Sequence, residues 1–189
     1  MRDIPSLALT AILAAAPALA QAQAPASSRI GFYLGLDYNV SSVRSTAGYI
    51  AGAEIAAIFS RQFSVGLVGY GLANDDATVP APDGGFQKLG LGYGGIRVGY
   101  LHSPDKRFHP AFDLFIGTGQ VRARRSTPRR EDEVVVIEPT VGMEANAAKY
   151  LHASLGLGYR MVAGSDLAGV SNESLSALSL RLTLRFGRF

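Results

Sequence analysis

The chain has 189 residues, with 18 Lys and Arg against 15 Asp and Glu, and its net charge of +3 is too mild by itself to point to nucleic acid. It holds no cysteine, which excludes disulfide staples, thiolate catalysis and thiolate metal sites. Glycine stands at 22 positions, tryptophan at none, and 48% of the residues are hydrophobic; no long apolar run follows the amino-terminal one, and this balance suits a protein that meets a bilayer without helices.

The chain opens MRDIPSLALTAILAAAPALAQAQA. A charge at Arg2, an apolar run from about Leu7 to Leu19 and small residues at Ala18, Ala20 and Ala22 are the parts of a cleaved secretory signal. The run is shorter than the ~20 residues a spanning helix needs. Residues 1–22 are therefore read as a signal peptide, its cut placed to within about three residues, and 23–189 as one domain outside the cytoplasm.

From Ile30 onward, apolar and polar residues alternate with a period of two, the mark of strands with unlike faces. Residues 30–40 set Phe32, Leu34, Leu36, Tyr38 and Val40 opposite Gly31, Tyr33, Gly35, Asp37 and Asn39. A second strand, about Ala47 to Phe59, opposes Tyr49, Ala51, Ala53, Ile55, Ala57 and Phe59 to a face that holds Glu54, and a glycine-rich third runs from Phe63 to about Leu72. In the fourth, Phe86 to Leu101, the apolar residues move from odd positions (Leu89, Leu91, Tyr93) to even ones (Ile96, Val98, Tyr100), which predicts a β-bulge at Gly94 and Gly95. The fifth, Phe108 to about Val121, sets Phe112, Leu114 and Ile116 against Asp113. The sixth sets Val135, Ile137, Val141 and Met143 against Glu138, Thr140 and Glu144, and carries Pro139 at the loss of one ladder hydrogen bond. The seventh, 150–161, opposes Leu151, Ala153, Leu155, Leu157, Tyr159 and Met161 to His152, Ser154 and Arg160; the eighth, LSLRLTLRFGRF at 178–189, alternates Leu178, Leu180, Leu182, Leu184 and Phe186 with Ser179, Arg181, Thr183 and Arg185.

Links after even strands are short, at 60–62, 103–107 and 146–148, and the longer links, notably 73–85, 122–133 and 163–174, follow odd ones. Tight turns at one end and long loops at the other are the plan of a membrane barrel. A soluble lipocalin-like ligand-binding barrel would turn its apolar face inward, but the polar face here is mostly Gly, Ser and Ala, thin for a solvated exterior and well suited to a lumen. That face collects Asp37, Glu54, Asp113, Glu138 and Glu144 against Lys88, Arg97, Arg160, Arg181 and Arg185; opposite charges in equal number are what a narrow interior requires.

The eight alternating strands, the signal segment and a carboxy-terminal Phe make the chain similar to the small outer-membrane barrels of the OmpA transmembrane-domain and OmpX type. The resemblance implies an all-β, eight-stranded antiparallel up-and-down transmembrane β-barrel in the outer membrane of a Gram-negative bacterium. It implies Phe189 as the insertion signal read by the barrel-assembly machinery, although Phe189 is out of phase with Phe186 and Leu184 unless the strand kinks at Gly187. With nothing after residue 189, the peptidoglycan-binding domain that OmpA-type proteins append is expected to be absent. The expected partners are outer-membrane lipids and lipopolysaccharide; no nucleic acid and no cofactor are expected, and the barrel is expected to be a monomer.

An eight-stranded barrel is just wide enough for side chains to fill, so a structural or surface-interaction role is expected rather than transport. The enzymatic alternative is a lipid A deacylase-like barrel, whose His-x-Ser pair would be His152 and Ser154 on one strand face, oriented by Glu144 or Glu138; Leu155 stands where that family has Asn, and both residues are expected in the lumen, so no catalytic residue is assigned. In RARRSTPRRED, residues 122–132, the cluster Arg122, Arg124, Arg125, Arg129 and Arg130 suits the phosphates of lipopolysaccharide, or a solvated loop partly neutralised by Glu131, Asp132 and Glu133. His102, His109 and His152 lack metal-ligand spacing, and GLGYGG at 90–95 lacks the strand-to-helix context of a nucleotide loop. Tyr38, Tyr49, Tyr93, Tyr100 and Tyr159 are expected in the interfacial girdle.

Overall fold

A computed structural model describes residues 30–43, 46–73, 78–80, 86–124, 130–164 and 172–189, so the signal segment, Arg125 and Arg129 lie outside the described residues. The strands are β1 (Ile30–Val43), β2 (Thr46–Phe59), β3 (Phe63–Leu72), β4 (Thr78–Pro80), β5 (Phe86–Leu101), β6 (Phe108–Arg124), β7 (Arg130–Ala148), β8 (Leu151–Ala163) and β9 (Ala177–Arg188); a single helical turn, α1 (Asn172–Leu175), precedes the last. Each long strand pairs antiparallel with its chain neighbour, β1 pairs with β9, and β3 pairs with β5, which closes an eight-stranded barrel that leaves the three-residue β4 as an addition on β5. Closure leaves no long edge with unpaired backbone groups, the condition for strands to stand in lipid.

The period-two pattern decides the faces. Along β1, β5 and β9 the odd positions are buried, and along β2, β3, β7 and β8 the even ones, while Leu34, Leu36, Leu67, Leu157 and Leu178 point outward and are more than half exposed. The apolar parity thus forms the outer wall, as the sequence predicts.

The predicted bulge in the fourth strand does not occur. β5 runs through Gly94 and Gly95 in unbroken register with both β3 and β6, and its odd positions Leu91, Tyr93, Arg97 and Leu101 all face inward. The apolar residues change face because the lumen itself changes character. Its long-loop half is packed by Ile50, Val68, Tyr70, Leu91, Tyr93, Phe115, Val134, Val136 and, from α1, Leu175. Its short-turn end holds a smaller cluster of Tyr33, Ala56, Ile58, Leu101 and Ala111, joined by Phe189. Between them lie the charges. The register shift that does occur among the described pairs falls between Asn146 and Ala148, beside β8.

At the short-turn end β2 and β3 join through Ser60 and Arg61, whose φ of 51° and 60° give the two left-handed residues of a tight hairpin, closed by the Gln62 N–H donating to the Phe59 carbonyl at 3.0 Å. At the other end the predicted link 122–133 is mostly strand: Arg122 pairs with Glu131 and Val121 with Asp132, so the ladder continues the hairpin where apolar alternation stops. Likewise β1 and β2 extend until only 44 and 45 separate them.

Candidate functional site

The lumen is built around Arg97, on β5 and 1% exposed. Its guanidinium donates to Glu54 Oε2 at 2.7 Å and also meets Asp37 and the Tyr70 hydroxyl. Asp37 receives further hydrogen bonds from Tyr70 at 2.7 Å and Thr183 at 2.5 Å, and Tyr33 reaches Glu54 at 3.3 Å. One layer toward the long loops, Arg181 donates to Glu138 at 2.6 Å and to Asn39 at 3.1 Å, and Ser179 donates to the same Glu138 oxygen at 2.8 Å. Both guanidiniums lie close to the Tyr70 ring, with Arg97 Cζ and Arg181 Cζ each 5.8 Å from its centroid. One layer toward the short turns, Arg185 bridges Glu144 and Asp113, the latter at 3.2 Å.

Nine of the ten predicted lumenal charges therefore share the interior: the five carboxylates with Arg97, Arg160, Arg181 and Arg185. Arg160 is fully buried and donates to the Leu175 carbonyl at 3.0 Å, which holds α1 in the barrel mouth. For the tenth, Lys88, the strand register alone is described: it pairs with Arg124 across the β5–β6 ladder. Tyr93 is a correction: it is 4% exposed and packs against Tyr70 and Phe115 inside the barrel, whereas Tyr38, Tyr49 and Tyr159 are exposed on the outer wall, the first two stacked.

His152 and Ser154 both face the lumen. His152 Nδ1 lies 2.8 Å from Glu144 Oε1, and its ring stacks on Phe189 with centroids 3.5 Å apart. His109 Nε2 approaches the same carboxylate at 3.4 Å, its Nδ1 donating to the Lys106 carbonyl at 3.1 Å. A hydrolase pair would need an acyl chain to enter this layer, which Arg185, His109 and Phe189 already fill. Phe189 reaches it because β9 does not kink at Gly187: the strand continues in register, Gly187 beside Tyr33, and the alternation carries residue 189 inward. The aromatic of the last turn on the lipid side is Phe186.

Sequence reasoning left Tyr70 and His109 out of this site, and gave Asn39, Ser179 and Thr183 the inward face but no partner. Their signal was parity, since each shares the inward face of its strand with a charged or polar neighbour. Among the described residues the charged layers leave a cavity of about 10 Å³ beside Asp113, Thr140 and Arg181, room for one water at most. Such a lumen locks strands together.

On the outer wall, toward the long loops, four strands frame a groove of about 710 Å³. Its floor is Gly90, Gly92 and Gly94, and its walls include Thr118, Gln120, Glu133 and Val135. Arg122 stands at its rim, exposed and hydrogen-bonded to Gln120. Of the remaining predicted arginines, Arg124 and Arg130 lie on the β6–β7 hairpin, and Arg125 and Arg129 outside the described residues.

A closed eight-stranded antiparallel barrel with an apolar outer wall and a charge-filled lumen is the architecture of the small outer-membrane barrels of the OmpA transmembrane-domain and OmpX type. Among solved structures, the crystal structure of Neisserial surface protein A aligns with a TM-score of 0.60 at 10% identity, covering 85% of this chain and 98% of that one. Ail, the attachment invasion locus protein of Yersinia pestis, aligns with a TM-score of 0.52 at 7% identity over 84% of this chain and 97% of Ail, and its complex with the heparin analogue sucrose octasulfate with 0.51 at 10% identity over 85% and 99%. At these identities the likeness is one of fold. No protein-family model and no curated protein sequence matches the chain.

Proposed function

We propose that this protein is a non-transporting surface barrel of a Gram-negative outer membrane, exported by a cleaved signal peptide, whose outward end contacts lipopolysaccharide. The observation that carries this reading is the inversion of ordinary burial: leucines and phenylalanines line the outside while arginines and carboxylates are sealed within. That arrangement is favourable in hydrocarbon and costly in water. The fold neighbours include Neisserial surface protein A and the attachment invasion locus protein of Yersinia pestis, names in keeping with a role played by the outward face. The outer-wall groove supports the lipid partner: its glycine floor admits close approach, and Arg122 at the rim is the group that recognises a phosphate. Next to it in the sequence, Arg124, Arg125, Arg129 and Arg130 would add the same chemistry.

Gel mobility of the protein from isolated outer membranes, unheated and boiled, tests the placement. A heat-shifted band in that fraction is expected, and an unshifted soluble periplasmic band refutes it. The partner is tested by changing the five arginines to Gln and measuring co-purified lipopolysaccharide; unchanged retention refutes the contact. The deacylase alternative would require fatty-acid release from lipopolysaccharide that His152→Ala abolishes.

A further inference from the structure

The net positive charge of this chain is concentrated at the end away from the arginine hairpin. Among side chains, the short turns and the end of β9 carry Arg61, Lys106, Arg107, Lys149 and Arg188 against one described carboxylate, Asp105, which pairs with Arg61 at 2.5 Å and ties two turns together. That excess exceeds the +3 of the whole chain, so everything else sums to a slight negative charge.

These cations are placed with respect to the wall as well as to one another. Arg107 Cζ lies 5.7 Å from the centroid of the Phe108 ring and Lys149 Nζ 5.1 Å from that of Tyr150, and both rings are more than half exposed. Phe63, Tyr100 and Phe112 continue this aromatic band along the outer wall in contact with one another. Aromatic rings on a barrel wall settle at the level of the lipid headgroups. A cation seated over such a ring on the solvent side stands at the depth of the phosphates.

We infer that the short-turn rim is a binding collar for anionic phospholipid headgroups of the inner leaflet, with Lys106, Arg107 and Lys149 as its phosphate-binding groups. The inference rests on the membrane placement proposed above but not on the lipopolysaccharide contact, which uses the opposite end. A rim with one net charge or none would be indifferent to headgroup charge; this one prefers phosphatidylglycerol to phosphatidylethanolamine, because each cation near an anionic surface adds attraction that salt screens.

The folded full barrel, exchanged into non-ionic detergent with equimolar phosphatidylglycerol and phosphatidylethanolamine, is examined by native mass spectrometry for retained lipid. Wild type is expected to retain phosphatidylglycerol preferentially, with the preference falling at high salt. The variant Lys106→Gln/Arg107→Gln/Lys149→Gln, whose folding is checked by its heat-shifted band, is expected to lose it by ~10-fold or more, and Lys106→Arg/Lys149→Arg to keep it. Equal preference in wild type and the triple Gln variant overturns the collar. Preference in neither, with both lipids retained, overturns it as well and leaves the membrane placement standing. A folded protein that retains no lipid of either kind overturns the collar, while the placement stands or falls on the heat-shifted band in the outer-membrane fraction.

Discussion

Replacing Arg97 by Met keeps an unbranched apolar stem and removes the guanidinium and its charge from the centre of the barrel. Two buried carboxylates are then left without their cation, and removing one partner of a buried ion pair costs about 3–5 kcal/mol. The structure says how that cost divides. Asp37 keeps two good donors, Tyr70 at 2.7 Å and Thr183 at 2.5 Å, whereas Glu54 keeps Tyr33 at a long 3.3 Å. Most of the penalty therefore falls on Glu54. Adding Glu54→Gln to Arg97→Met should restore about 1–3 kcal/mol, since a neutral amide needs no counter-ion; adding Asp37→Asn should restore less. The assay is urea unfolding in detergent micelles, followed by the unheated gel band and by far-ultraviolet circular dichroism. A loss below about 1 kcal/mol for Arg97→Met, or strictly additive effects in the double variants, would refute the picture of a lumen held by coupled ion pairs.

Leu182 on β9 faces outward between Tyr38 and Leu155, so Leu182→Arg is expected to lower folding stability in lipid vesicles by about 2–4 kcal/mol, by placing a guanidinium in hydrocarbon; a neutral result would put this face outside the bilayer. Among the glycines, Gly69 faces out with nothing within 4 Å of an added methyl, whereas a methyl on Gly117 would lie 2.3 Å from the Gly94 carbonyl oxygen and 2.5 Å from the Phe115 ring. Gly69→Ala should be neutral or stabilising by about 0.5 kcal/mol and Gly117→Ala destabilising by about 1–3 kcal/mol, and the same unfolding series measures both. Phe189→Ala removes the ring stacked on His152 and Tyr33 and is expected to cost about 1–2 kcal/mol; an unchanged unfolding midpoint would show that this ring contributes nothing to the short-turn end.

Read by itself, the amino-acid sequence determined the architecture. Strict alternation from Phe32 to Val40 or from Leu178 to Phe186 serves one chain geometry, a strand with one oily face, and eight such strands with tight turns after every second one have few ways to close other than a barrel. Nine of the charges on the polar parity lie in the lumen, where a charge is far less costly than in a membrane wall. Partner choice was left to the tertiary structure: Asp37 meets Arg97 and Thr183 from strands far along the chain, and only barrel closure sets which layers coincide. Where hydrophobicity was the sole guide, the pattern was ambiguous. Leu91 and Tyr93 are as apolar as Ile96 and Val98, yet they fill the upper lumen, and Phe189 lines the short-turn end although Phe186 meets lipid. Hydrocarbon and a packed protein interior exclude water equally well, so an apolar side chain carries no label for which of the two it will enter; strand register supplies the label, and register belongs to the fold.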